Sequence, residues 1–173
     1  MVTRRLKNFV RDVANYPRPG VVFKDITPLL ASATEFVAAT EAMAAPFLTA
    51  GVTHVVAIES RGFILGGPIA VRLGCGFVPV RKPGKLPSTT RREDYALEYG
   101  TDGLEIHDDA FGDGARALIV DDVLATGGTA DATRRLVEAL GAPVVGFSFL
   151  IALSFLPGVA RLADRMVHAV IVY

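Results

Sequence analysis

The sequence predicts a three-layer α/β domain with a mostly parallel central sheet, on three observations. From Gly51 onward, short apolar runs alternate with segments of helical periodicity, as strand–helix–strand units require. The run VVGFSFLIAL is apolar throughout and reads as a strand buried on both faces. The 173 residues are near the common size of one domain, with no internal repeat or low-complexity segment to divide them.

Taken in order, Leu6, Phe9, Val10 and Val13 fall at helical spacing and predict a first amphipathic helix. It should stop before NYPRPG, where two prolines and a glycine enforce an extended turn. VVFKDITPLL is mixed and partly extended. Ser32 and Glu35 make a capping box for a second helix running toward Ala50, with Pro46 expected to kink it or end it early. THVVAI is a strand, GFILGGPIAVRL a helix and GFVPV a second strand. Arg81 to Tyr95 is polar, basic and proline-containing, and is expected to be a mobile loop. YALEYG and LEIH read as short extended pieces, with a hairpin around Asp102-Gly103. ARALIVDD is the strongest strand, TADATRRLVEAL the helix after it, and VVGFSFLIAL and HAVIVY close the chain as strands.

Bulk properties remove several function classes. Eighteen basic and eighteen acidic side chains cancel, so no global field draws the chain to nucleic acid or an anionic membrane. The lone Cys75, flanked by Gly74 and Gly76, has no internal disulfide partner and reads as a buried structural thiol, which favours a cytoplasmic location. The N-terminus has no signal-peptide core. Residues 139–160 contain no charge and are long enough to span a bilayer. Gly141, Pro143, Gly146, Pro157 and Gly158 interrupt them, however, and favour a buried strand. His54, His107 and His168 have no metal-ligand spacing and are assigned no site.

The chemistry is concentrated in ALIVDDVLATGGTADAT. A hydrophobic strand ends in Asp121 and Asp122, and a loop of Thr and Gly leads straight into a helix. Gly127 and Gly128 let the backbone approach a ligand and adopt positive φ. The amides of Ala125 to Thr129, at a helix N-terminus, suit a phosphate, with Thr126 and Thr129 adding hydroxyls. The acids would repel a phosphate but suit sugar hydroxyls, so the pattern describes a sugar phosphate. Asp followed by Gly and Thr is also ordinary turn chemistry. No G-x-x-x-x-G-K-[ST] is present. Gly112-Asp-Gly-Ala-Arg-Ala117 spells a dinucleotide fingerprint, but it precedes a strand where it should follow one.

A second turn, Glu59-Ser60-Arg61-Gly62, again joins a strand to a helix, with Arg61 able to meet a phosphate or a base edge. It half-matches a nucleophile elbow but has Ile58 where the first glycine belongs. Arg81, Lys82 and Lys85 precede the expected loop and suit an anionic leaving group, although such runs are commonly just solvated. Phe23 by itself would be read as a core residue.

Taken together, these segments resemble the type I phosphoribosyltransferases, whose phosphoribosyl-pyrophosphate signature is a hydrophobic strand, two acids and TGGT in this order. ESRGF, RKxGKLP followed by LEYG, and PGVVFKDITPLL are similar to the adenine-specific members. The resemblance implies a small N-terminal hood (residues 1–30) and a flexible catalytic loop (residues 81–100) within a single domain. It implies Asp121, Asp122 and the 125–129 loop on the ribose phosphate. Glu59, Ser60, Arg61, Arg81, Lys82 and Lys85 would lie on the pyrophosphate. Val22 and Phe23, with Val123 opposite, would sandwich the purine, and the Lys24 backbone would meet its edge. Glu98 is implied for proton exchange with the base and Tyr99 as its loop partner. Mg²⁺ is expected on substrate oxygens and water, with no direct protein ligand. The implied assembly is a homodimer, with Arg81 reaching the neighbouring site.

The implied reaction displaces pyrophosphate at C1 of the ribose by N9 of adenine, with positive charge developing on the sugar. Two alternatives remain open at this stage. One is a transferase for hypoxanthine, guanine or xanthine, which the backbone edge at Val22 to Lys24 would have to exclude. The other is a non-catalytic phosphoribosyl-pyrophosphate sensor, against which neutral charge, short length and the presence of Arg61, Lys82 and Glu98 all count.

Overall fold

The computed structural model describes residues 2–96 and 101–173. The first helix is shorter than its periodicity predicts: α1 spans Val2–Lys7, and Val13 belongs to a strand. That strand, β1 (Arg11–Ala14), pairs antiparallel with β2 (Val22–Asp25), from Arg11↔Asp25 to Ala14↔Val22. Partner strands satisfy backbone groups that the sequence spacing assigns to a helix, while Leu6, Phe9 and Val10 still pack into the core. The NYPRPG turn closes where the Gly20 amide donates to the Asn15 side chain at 3.0 Å.

VVFKDITPLL divides in two, with β2 giving way to α2 (Thr27–Ala31). The Asp25 carboxylate accepts the Thr27 amide at 2.9 Å, and Pro28 occupies the first turn, where its missing N–H costs nothing. Helix α3 (Ala33–Ala44) follows, capped by the Ser32 hydroxyl, which accepts the Glu35 amide at 3.4 Å. The Glu35 carboxylate takes the Arg5 Nε at 2.9 Å, so the reciprocal arm of a capping box is replaced by a tie to α1. The early end expected from Pro46 is observed, as a 3-10 turn over Ala45–Phe47.

The alternation beyond Gly51 is as read: β3 (His54–Ile58), α4 (Arg61–Leu73) and β4 (Gly76–Val80), then β7 (Ala117–Leu124), α5 (Gly128–Ala139), β8 (Val144–Ala152), the short α6 (Gly158–Arg161) and β9 (Met166–Val172). β3, β4, β7, β8 and β9 form one parallel sheet in the order β4-β3-β7-β8-β9. Its two faces feed two separate cores, and β7 shows the period of two that divides them. Ala117 and Ile119 join Phe147, Phe149 and Leu136 under α5, whereas Leu118 and Val120 join Met43, Phe47 and Leu65 under α3 and α4. Residues 139–160 comprise the end of α5, β8 and the start of α6, and no helix among the described residues is long and apolar enough to cross a membrane.

Between β4 and β7 the structure departs from the sequence reading. The segment expected to be irregular through Tyr95 becomes a strand at Thr90: β5 (Thr90–Ala96) pairs antiparallel with β6 (Thr101–His107). Asp102-Gly103 is not a turn but lies inside β6, opposite Tyr95 and Asp94. Exposed charges along β5 mask a strand whose support is tertiary. Arg135 of α5 bonds Glu93 at 2.6 Å, and Arg91 donates to the Ala139 carbonyl at the end of α5 at 2.7 Å. Leu104, Ile106 and Tyr95 pack in the core under α5.

Candidate functional site

The strand order locates the site. From β3 the chain winds outward to β4, then returns to the other side of β3 to lay down β7, so β3 and β7 flank the switch point where such sheets bind ligands. The β3–β7 ladder ends at Ala57↔Val120. Asp121 and Asp122 lie beyond it, opposite the Glu59-Ser60-Arg61 turn that leads into α4. A cavity of about 240 Å³ opens there, with Ser60, Arg61, Lys82, Tyr95, Asp121 and Thr129 in its wall. A second of about 80 Å³ adjoins it, sharing Asp121 and Thr129 and lined further by Ala125, Thr126, Gly127 and Phe149.

The two acids are not equivalent. Asp122 is buried and ion-paired with the Arg61 Nε. Asp121 is held well above the ordinary carboxylate range, first by burial and then by the charge of Asp122 beside it. Of the two acids only Asp121 lines both cavities, which places it at their junction.

The basic residues also separate. Arg81 turns away from the polar cavity, bonding Glu59 at 3.0 Å and the Lys85 carbonyl at 2.9 Å. Glu59 also accepts the Lys82 amide at 3.0 Å, so its carboxylate organises the neighbouring basic strand end. Lys82 reaches into the cavity and pairs with Asp102. Burial alone would lower the Lys82 ammonium, but the Asp102 carboxylate outweighs it and keeps the lysine above its ordinary value. The exposed Lys85 side chain stands at the edge of this group.

The 125–129 loop differs from expectation in one detail. Gly127 has φ +79°, as a residue turning into a helix N-terminus needs, whereas Gly128 is already the first residue of α5 and is not among the glycines with positive φ. Thr126 is exposed at the loop tip, and the Thr129 hydroxyl donates to Tyr95 Oη at 3.3 Å.

The hood residues Val22, Phe23 and Lys24 all lie on β2. Phe23 is joined to the acids by Arg61, whose guanidinium lies 5.1 Å from the ring centroid. Tyr16 meets the same ring edge-on at 5.2 Å. The Lys24 ammonium bonds Asp12 at 2.7 Å, and its backbone lies in the β1–β2 ladder opposite Asp12. Val123 is partly buried beside the 125–129 loop and lines the smaller cavity. Glu98 and Tyr99 lie outside the described residues.

Tyr95 and Asp102 are missed by the sequence reading. Tyr95 Oη donates to Asp102 at 3.2 Å, and together they connect Lys82 to Thr129 across the cavity. A signal for Asp102 exists: it shares a face with buried Leu104 and Ile106, an acid on the inward side of an alternating strand. Cys75 is partly buried in the core under α4, with burial raising its thiol. His54 contacts Thr53 and Phe111, and His168 contacts the Ala42 carbonyl.

Comparison with known proteins agrees with this geometry. The family model described as phosphoribosyl transferase domain matches residues 29–167. The adenine phosphoribosyltransferase of Myxococcus xanthus is 56% identical over 164 residues, covering 95% of this chain and 89% of the relative. The chain belongs to the adenine phosphoribosyltransferase family. Among solved structures, the adenine phosphoribosyltransferase of Rhodothermus marinus superposes with a TM-score of 0.95 at 54% identity, over 99% of this chain and 98% of that one. The Saccharomyces cerevisiae enzyme, solved with an iminoalditol bisphosphate and adenine, gives a TM-score of 0.92 at 36% identity over 98% of each chain. The parallel sheet with its flanking helices is thus the phosphoribosyltransferase fold that the acids and TGGT loop implied.

Proposed function

We propose that this protein transfers the phosphoribosyl group of 5-phosphoribosyl-1-pyrophosphate to N9 of adenine, forming AMP and releasing pyrophosphate. The observation that carries this reading is the Phe23–Arg61–Asp122 contact, which links an aromatic hood to the acid pair at the switch point. The 5′-phosphate would sit on the 125–129 loop, where α5 begins. Asp121 and Asp122 would take the ribose hydroxyls. Ser60, Arg61 and Lys82 would face the pyrophosphate, with Glu59 holding Arg81 and the Lys82 backbone in place.

As the C1–oxygen bond breaks, charge grows on the sugar ring and on the leaving group, so positioning and electrostatics govern the rate. One cavity wall holds Asp121, Asp122, Arg61 and Lys82; the Asp122 carboxylate, ion-paired with Arg61, would lie beside the sugar, and Arg61 and Lys82 beside the leaving group. Glu98, by resemblance, would exchange the proton of the purine ring, with Tyr99 beside it.

Mg²⁺ fits this site as a companion of the substrate. Asp122 is engaged by Arg61, and no group of three or more possible metal ligands occurs among the described residues. Pyrophosphate and ribose oxygens with water would therefore hold the ion, which supplies charge neutralisation on the leaving group. We read the chain as a single transferase domain, cytoplasmic and homodimeric, with Arg81 approaching the neighbouring site. An apolar groove between α3 and α4, where Val37 and Val71 are exposed, supports self-association. The 6-oxopurine alternative loses ground because these close relatives are adenine enzymes by name.

The test is pyrophosphate release with adenine, hypoxanthine, guanine and xanthine supplied separately, with and without Mg²⁺. Turnover with adenine alone is expected. Preference for a 6-oxopurine would overturn the hood assignment, and binding of phosphoribosyl pyrophosphate without turnover would favour a sensor.

A further inference from the structure

A two-stranded ribbon has little stability of its own, yet β2 carries the residues assigned to the base and pairs with β1 over four residues. Besides the Phe23–Arg61 contact and the buried Ile26 that follows it, one lysine side chain ties it to the far edge of the sheet. Lys24 is unusually enclosed for a lysine, its side chain only 11% exposed. Its ammonium bonds Asp12 at 2.7 Å and lies 3.9 Å from the centroid of the Tyr173 ring.

Tyr173 is itself fixed on both backbone sides at the end of β9. Its amide donates to the Ala152 carbonyl at 3.0 Å, and its carbonyl accepts the Ser154 amide at 2.8 Å and hydroxyl at 2.6 Å. The same ring receives a second ammonium, that of Lys7 in α1, also at 3.9 Å. Lys7 further donates to the Val172 carbonyl at 3.4 Å. One aromatic ring at the sheet edge thus gathers the first helix and the hood strand.

From this arrangement we propose that Tyr173 is a positioning residue for adenine: its ring receives Lys24 and thereby fixes β2 and the neighbouring Phe23 ring against Arg61. The inference rests on the assignment of Phe23 to the base given above. A ring face attracts a desolvated ammonium through its quadrupole, which phenylalanine retains and leucine lacks. With leucine, Lys24 keeps Asp12 but loses its tie to the sheet, and the hood should sample positions in which Phe23 no longer meets the base. The phosphate loop and Lys82 are on other elements, so phosphoribosyl-pyrophosphate binding should be spared.

The experiment is steady-state kinetics with each substrate varied, on the full-length wild type, Tyr173→Phe, Tyr173→Leu, Lys24→Met, the Tyr173→Leu/Lys24→Met double variant and Phe23→Ala. Tyr173→Leu and Lys24→Met should each raise KM for adenine about fivefold, equivalent to ~1 kcal/mol, with KM for phosphoribosyl pyrophosphate unchanged. Tyr173→Phe should retain wild-type behaviour, and the double variant should be no worse than the larger single effect. If Tyr173→Leu does not fold, Lys24→Met tests the same contact from the other side. An unchanged adenine KM in both variants, while Phe23→Ala raises it, overturns the role of Tyr173 alone. So does an equal rise in both KM values, which marks a merely structural residue. An unchanged adenine KM in Phe23→Ala overturns the base assignment of the hood, and this inference with it.

Discussion

The carboxylate of Glu59 accepts the Arg81 Nε at 3.0 Å, tying the turn after β3 to the first residue after β4. The sequence reading places both on a pyrophosphate directly. Burial alone would raise the Glu59 carboxyl, but Arg81 and the Lys82 amide outweigh it and hold it below its ordinary value, so it faces the site as an anion with partners. Its job in the proposed reaction is to orient the basic residues.

Glu59→Gln should therefore lower kcat/KM for phosphoribosyl pyrophosphate on the order of tenfold, about 1.4 kcal/mol. Combined with Arg81→Ala, its effect should be much less than additive, because each change removes the same contact. Full additivity in steady-state kinetics would mean the two residues act separately.

Arg61→Lys should be far from conservative. Arginine can donate to Asp122 while laying its planar group over Phe23, and an ammonium cannot do both. The expected loss in kcat/KM is roughly 10²-fold, by analogy with the removal of a charge-stabilising donor, and should appear with either substrate varied. A loss confined to one substrate would show that Arg61 serves only one side of the site.

Gly158 packs against the 125–129 loop, its amide donating to the Ala125 carbonyl at 3.1 Å. A Cβ at this position would lie 2.3 Å from that same carbonyl oxygen and 2.9 Å from the Leu124 side chain. Gly158→Ala must displace the loop and should destabilise the protein by about 1–3 kcal/mol while raising KM for phosphoribosyl pyrophosphate. Urea denaturation and kinetics check the two effects, and unaltered values of both would show that the loop yields freely.

Asp131, near the start of α5, supplies a pH test. Burial alone would raise its carboxyl, but Arg134 and Arg135 outweigh that and hold it below the ordinary range. Its folded-state value is below the unfolded one, so its stabilisation is complete above the unfolded value of about 3.9 and fades as pH falls through the folded value. The difference in urea midpoint between wild type and Asp131→Asn should thus be largest near neutrality and shrink in acid. A difference independent of pH would remove the charge from the explanation.

The elements legible in the sequence were those whose signal is local. Buried strands such as VVGFSFLIAL leave unbroken apolar runs, Ser32 announces a helix start by the amide it caps, and the acids followed by TGGT imply a sugar phosphate because each residue type suits one part of it. Those features determined the fold class, the strand–helix alternation beyond Gly51 and the glycine turn that opens α5. β1 and β5 could not be read this way. Val13 sits at helical spacing by coincidence, and the charged residues of β5 look like loop until Arg135 and the Ala139 carbonyl supply their partners. Asp102 and Tyr95 entered the site for the same reason, since only the pairing of β5 with β6 brings them to Lys82 and Thr129. Sequence by itself determined which residues could do the chemistry. Tertiary structure decided which line the cavities and which hold their neighbours, because charge pairing such as Glu59 with Arg81, or Lys24 with Asp12 and Tyr173, depends on distances between segments that the chain order does not contain.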